Sequence, residues 1–178
     1  MNYYIADLHF GHKRCIEMDQ RPFSSVEEMD ETLISNWNNK VNEHDDVYII
    51  GDFSYKAVKE ATEYLKQLKG HKHLIVGNHD LKLIHDQQAF NCFESVDYFL
   101  QIQDGREIIY LCHYPMAEWP YYHRNTYHIY GHIHNNKDET YEFMSKREKA
   151  LNAGCMINNY EPVTLEELII NNNYFKKK

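Results

Sequence analysis

The sequence contains no C-x-x-C pair: Cys15, Cys92, Cys112 and Cys155 stand far apart. Such spacing points to reduced, mostly buried thiols rather than a disulfide framework. No apolar run approaches the ~20 residues needed to span a bilayer. Met1 to Asp7 read as a strand entering polar residues, without the basic start and apolar core of a secretory signal. The expectation is a soluble cytoplasmic protein with no membrane partner. Positive charge is also scarce, with 19 Lys and Arg against 27 Asp and Glu, a formal net charge of −8. Long duplex nucleic acid and anionic membrane surfaces need clustered positive charge and are therefore disfavoured. There is no internal repeat, no linker and no low-complexity stretch beyond a polar end at 171–178, where Lys176, Lys177 and Lys178 are expected to fray. The 178 residues read as one domain spanning 1–178.

What the chain does have is 12 His and 15 Tyr. Imidazole and carboxylate are common ligands of catalytic metals, so a His-rich acidic chain hints at metal. Short apolar runs predict strands at Tyr3–Ala6, Asp46–Ile50, His73–Val76, Glu107–Leu111 and Tyr127–Tyr130. A capping box at Ser25–Glu28 opens a helix carrying Met29, Leu33, Ile34 and Trp37. Val58, Ala61, Leu65 and Leu68 mark a second helix, closed by Gly70. Thr164–Glu167 opens a third, short one. Strand and helix alternate in the first half and strand dominates the second, which predicts an α/β sandwich with partly mixed sheets.

Each predicted strand ends in the same chemistry. The loops that follow are Asp7-Leu8-His9, Gly51-Asp52, Gly77-Asn78-His79-Asp80, His113 and Gly131-His132-Ile133-His134. Sites in open α/β sheets form where loops leave the carboxyl ends of strands, so these loops can converge on one crevice. Asp7 with His9, and His132 with His134, are spaced to chelate one ion each. Asp52 has two oxygens and could bridge two ions, and Asn78 offers a neutral carbonyl. The set Asp7, His9, Asp52, Asn78, His113, His132 and His134 is too large for one tetrahedral zinc. It suits two ions sharing a carboxylate.

Singly, these pieces say little. A random chain with 11 Asp and 12 His would show about 0.7 D-x-H and about 0.8 H-x-H. His71-Lys72-His73 is a second H-x-H, read as a surface turn entering a strand. G-N-H-D, by contrast, is expected only about 0.003 times by composition. Taken alone, Asp7 or Asp52 could cap a turn, and His113 would be an ordinary core histidine.

In this order the blocks resemble the calcineurin-like metallophosphoesterases, whose pattern is D-x-H, G-D, G-N-H-[DE], H and G-H-x-H. The likeness runs from Asp7 to His134 and is nearest the small, single-domain prokaryotic or phage-type branch, as Arg21-Pro22-Phe23, His113-Tyr114-Pro115 with Trp119, and Asn158-Asn159-Tyr160 before Pro162 suggest. The resemblance implies a four-layer α/β/β/α sandwich with its metal site at the carboxyl ends of strands. It implies one metal on Asp7, His9, Asp52 and His134, and a second on Asp52, Asn78, His113 and His132. His79 would contact substrate phosphate or protonate the leaving oxygen, and Asp80 would orient His79 and raise its pKa. The implied reaction is hydrolysis of a phosphate mono- or diester by a metal-bridging hydroxide. A non-catalytic metal-binding scaffold of the same fold is the alternative.

Two divalent or trivalent ions, Mn, Fe, Zn or Ni, suit such ligands. With two divalent ions, two Asp and one hydroxide, the site would carry about +1, drawing in a phosphate ester despite the net −8. A dinuclear hydrolase of amide or lactam bonds is the other enzymatic reading, but its H-x-H-x-D-H signature is absent. A small diester or nucleotide is the preferred substrate, and a monomer or small homo-oligomer the expected assembly. For substrate contacts, His12 either lines the site or caps the following helix. Arg21 either anchors a phosphate or forms a structural ion pair. In Trp119-Pro120-Tyr121-Tyr122-His123-Arg124, the aromatics could stack on a base while Arg124 holds a phosphate, or the loop packs on its own rings.

Overall fold

A computed structural model describes residues 1–177. In chain order the elements are β1 (Asn2–Ile5), α1 (Lys13–Met18), α2 (Val26–Lys40), β2 (Asp46–Ile49), α3 (Ala61–Leu65), β3 (His71–Ile75), α4 (Leu81–His85), α5 (Gln87–Phe90), β4 (Ser95–Asp97), β5 (Phe99–Asp104), β6 (Glu107–Cys112), β7 (Tyr127–Tyr130), α6 (Glu139–Ser145), β8 (Ala150–Asn152) and α7 (Leu165–Lys177). One sheet has the order β1-β2-β3-β4 and is wholly parallel. The other has the order β5-β6-β7-β8, with β5 antiparallel to β6 and the rest parallel.

Alternation along the strands decides the layers. Tyr3 and Ile5 of β1 and Val47 and Ile49 of β2 face one way, onto Cys15 of α1, Met29, Leu33 and Trp37 of α2, and Leu65 and Leu83 of α3 and α4. Tyr4, Ala6, Ile50 and Ile75 face the other way and meet Ile109, Leu111, Ile129 and Leu151 of the second sheet. The outer face of that sheet, Tyr110, Tyr130 and Ala150, is covered by Trp119 and by Met144 of α6. The result is the α/β/β/α sandwich.

Several elements differ from sequence expectation. Val58 is fully exposed, and α3 begins only at Ala61 because Glu60 and Glu63 supply its start signal. The expected frayed tail is the last turns of α7, although Lys178 lies outside the described residues. Asn172, read as part of a polar end, is buried. Its amide accepts from the backbone N–H of Asn152 at 2.8 Å and donates to the carbonyl of Asn152 at 3.0 Å, satisfying the free edge of β8. All four cysteines are unpaired; Cys15 and Cys155 are buried, and the other two are half-buried. No helix among the described residues is long and apolar enough to cross a membrane.

Candidate metal centre

Register brings the donor loops together. Ile5 pairs with Ile49 and Ile49 with Leu74, so the loops carrying Asp7, Asp52 and Asn78 leave one sheet at nearly the same level. Leu111 pairs with Ile129 in the second sheet, which places His113 and His132 level with each other. The sheets are joined at this edge. Ala6 exchanges hydrogen bonds with the chain after β8, from its N–H to Ala153 at 2.8 Å and from Cys155 N–H to its carbonyl at 2.9 Å.

The strand ends turn sharply, and the donors sit on the turns. Asp7, His9, Asp52, His132 and His134 all have left-handed backbone, with φ of 56°, 53°, 56°, 70° and 53°. Asp and His enter this region more readily than most residues, yet each such non-glycine position costs roughly 1–3 kcal/mol. Glycines make the close approach possible. A Cβ on Gly51 would lie 2.3 Å from His113 Nδ1, and one on Gly131 would lie 2.7 Å from the Ala6 methyl.

Donor atoms of Asp7, His9, Asp52 and His134 all lie within 4.8 Å of one another. His9 Nε2 stands 3.1 Å from His134 Nε2. Beside them, Asn78 Oδ1 lies 3.1 Å from His113 Nε2 and 2.9 Å from His132 Nδ1. Asp52 occupies the middle, its Oδ2 being 3.6 Å from His9 Nε2 and 3.6 Å from His113 Nε2. The structure thus gathers all seven sequence-predicted donors into two adjoining groups that share Asp52.

Hydrogen bonding behind the rings turns lone pairs inward. His113 Nδ1–H donates to the Ile50 carbonyl at 2.8 Å, leaving Nε2 as an acceptor toward Asp52 and Asn78. His134 Nδ1–H donates to Asp19 Oδ1 at 2.7 Å, leaving Nε2 as an acceptor toward His9. Burial, reinforced by His134, holds His9 far below the usual imidazole range, so it stays neutral. Burial pushes the Asp7 carboxyl upward against the pull of His134 and His113. For His134, burial is outweighed by Asp19 and Asp7, and the net shift is upward. Nitrogen and carboxylate acceptors aimed at one another at these distances fit a cation between them, so the donor set suits metal.

Asp19 is the functional side chain that sequence reasoning missed. It carries no motif of its own, and only Arg21, its partner, stood out. Arg21 takes the structural alternative: it is buried, paired to Asp19 Oδ2 at 2.9 Å, and donates to the carbonyls of Asp7 and Leu8 at 2.9 Å each. The guanidinium is consumed in holding the first donor loop and does not face the cavity as a phosphate anchor.

Asp80 also departs from expectation. One carboxylate oxygen accepts from Asp52 and Gly77 N–H at 2.8 Å each, and the other from Phe53 N–H at 2.9 Å. It clamps the Gly51-Asp52 and Gly77-Asn78 loops together instead of orienting the His79 ring. The half-buried His79 has its backbone N–H on Asp52 Oδ1 at 2.9 Å and its ring against Tyr55, with centroids 4.0 Å apart. His12 precedes α1 without capping it and lines the donor cavity, its ring 5.4 Å from that of His9. Arg124 lies over the Tyr121 ring at 5.4 Å and is not among the residues lining that cavity. Trp119 is buried and donates to Thr126, so this loop packs on its own aromatics.

Comparison with known proteins gives the family. An uncharacterized protein of Methanocaldococcus jannaschii is 36% identical over 169 residues, covering 94% of this chain and 88% of its own. The Gene 66 protein of Mycobacterium phage L5 is 40% identical over 81 residues, 44% of this chain and 39% of its own. A crystal structure of a protein of unknown function from Aquifex aeolicus superposes with a TM-score of 0.73 at 26% identity, covering 94% of this chain and 96% of that one. The calcineurin-like phosphoesterase superfamily domain matches residues 3–166, nearly everything from the first strand to the last helix. With that domain matched over nearly its whole length, the chain belongs to the calcineurin-like phosphoesterase superfamily.

Proposed function

We propose that this protein is a binuclear metal-dependent phosphoesterase acting on a phosphate mono- or diester, with a small diester or nucleotide as the preferred substrate. The observation that carries the reading is the central place of Asp52, equidistant from His9 and His113, one in each donor group. Asp7, His9, Asp52 and His134 would hold one ion, and Asp52, Asn78, His113 and His132 the other. Such ions supply Lewis acidity toward phosphoryl oxygens and toward water. The chain's own side chains do the rest. His79, kept at the cavity wall by Tyr55 and by its backbone bond to Asp52, is placed to give a proton to the departing oxygen. Asp80 keeps two donor loops in register and so positions Asp52 and Asn78. Asp19 keeps His134 in the tautomer that presents Nε2.

The test is elemental analysis of protein purified without chelator. Titration with Mn, Fe, Zn and Ni then follows, monitored with p-nitrophenyl phosphate and bis-p-nitrophenyl phosphate. Two ions per chain and metal-dependent release are expected. Full metal loading with no release from either ester would sink the proposal.

A further inference from the structure

A second cavity, of about 330 Å³, opens beside the donor cavity. Its size falls at the small end of ligand pockets, about 300–1,000 Å³. Tyr55, Lys56, Lys59, His79, Lys82 and Leu83 line it. His79 also lines the donor cavity, so one ring forms a wall of both. The second space is thus the nearest room on the His79 side of the donor groups.

The cavity has an apolar floor and a cationic rim. Leu83 is buried and Tyr55 is half-buried, its ring packed against His79 and edge-on to His12 at 4.8 Å. Lys56, Lys59 and Lys82 are exposed at the rim. Lys56 lies 5.1 Å over the Tyr55 ring and Lys59 lies 5.8 Å over the Tyr64 ring. Among the described residues none of the three forms an ion pair. The wall also holds two acids, Glu60 and Asp86. Asp86 Oδ1 is committed to the N–H groups of Gln88 and Ala89 at the start of α5. Three ammonium groups against two carboxylates leave a local positive excess in a chain of net charge −8. Exposed lysines without carboxylate partners suit a ligand that brings its own anion.

We propose that this cavity is a leaving-group subsite for phosphate esters that carry a second phosphate, the nucleoside bisphosphate class. The inference rests on the phosphoesterase reading for its chemistry. The base or sugar lies on Tyr55 and Leu83, and the second phosphate meets Lys56, Lys59 and Lys82. The scissile ester stays over the donor groups, with His79 between the two.

The experiment uses metal-loaded full-length protein and compares adenosine bisphosphate with adenosine monophosphate, by calorimetric binding and by phosphate release. Wild type is expected to bind the bisphosphate about tenfold more tightly, the effect of one charge-assisted hydrogen bond. In the double variant Lys56→Ala, Lys82→Ala that ratio collapses toward one, while Lys146→Ala, on the far side of the sandwich, keeps it. Equal affinities in wild type, or a ratio that survives the double variant, would overturn the subsite. Hydrolysis of bis-p-nitrophenyl phosphate is followed in parallel. Release from neither this ester nor p-nitrophenyl phosphate, alongside a lysine-dependent binding ratio, would overturn the phosphoesterase reading and leave the cavity a binding site for the second phosphate without a leaving-group role.

Discussion

His79 and Asp80 are adjacent in the chain and do separate things. The Asp80 carboxylate is spent on three backbone N–H groups, while His79 lines both cavities with its ring against Tyr55. On the proposed mechanism, His79→Ala should keep the wild-type metal content and lose turnover by roughly a hundredfold or more, the range of a general acid. Metal content that fell in step with activity would remove His79 from that role. Asp19 acts one bond further back, through His134 Nδ1. Partners of this kind are worth about 10–100-fold in metal affinity. Asp19→Asn should weaken metal by that factor in a competition titration against a chelating dye, and an unchanged affinity would make Asp19 only the partner of Arg21.

At the scale of elements, the site depends on strand ends more than on strands. The apolar runs that make β1, β2, β3, β6 and β7 were legible from composition and length, because each is a short apolar run bounded by polar residues. The short β4 and β8 and the exposed edge strand β5 were not legible. Their residues carry no continuous apolar run, and backbone partners alone define them. The turn after β2 shows how tightly the loops are built. Gly51 has φ of 80°, and a Cβ there would sit 2.3 Å from His113 Nδ1. Gly51→Ala should strain the backbone by about 1–2 kcal/mol and displace the His113 ring. On the binuclear proposal, metal stoichiometry should then fall from two ions toward one, read by elemental analysis. Two ions retained would show that the loop relaxes. At α2 the capping residue was legible, and Ser25 Oγ accepts from Glu28 N–H at 3.1 Å. Ser25→Ala should cost about 1 kcal/mol in urea unfolding.

Across the whole molecule, charge has two scales. The chain carries −8, yet the donor cavity and the lysine rim beside it are where anions would be received. Acid sensitivity has a source outside the metal centre. His128 is buried, with Nδ1–H donated to the Tyr110 carbonyl at 3.0 Å and Nε2 accepting from Met116 N–H at 3.1 Å. Burial lowers its pKa from 6.5 to about 4. The unfolded chain therefore binds the proton more readily between these values. Stability from this group is complete above about pH 6.5 and is lost as pH falls toward 4, by roughly 3 kcal/mol. His128→Gln should flatten the acid limb of the stability profile in denaturant melts. An unaltered limb would place the sensitivity elsewhere.

From residue types and order alone, the chain already disclosed its donor chemistry, because Asp, Asn and His are ready metal donors and the D-x-H, G-D, G-N-H-D and G-H-x-H blocks are local in sequence. It disclosed the buried strands and the layered class for the same local reason, hydrophobic period. Tertiary structure alone decided which polar residues serve the site and which serve the fold. Arg21 was drawn inward by Asp19 and two carbonyls, Asp80 was taken up by three N–H groups, and Arg124 came to rest on Tyr121. Asp19 reached His134 across 115 residues of chain. The fates of Arg21 and Asp80 depend on which buried backbone groups remain unpaired once the sheets have closed, and those of Asp19 and Arg124 on side chains that meet only in the folded chain, neither of which any window of sequence contains.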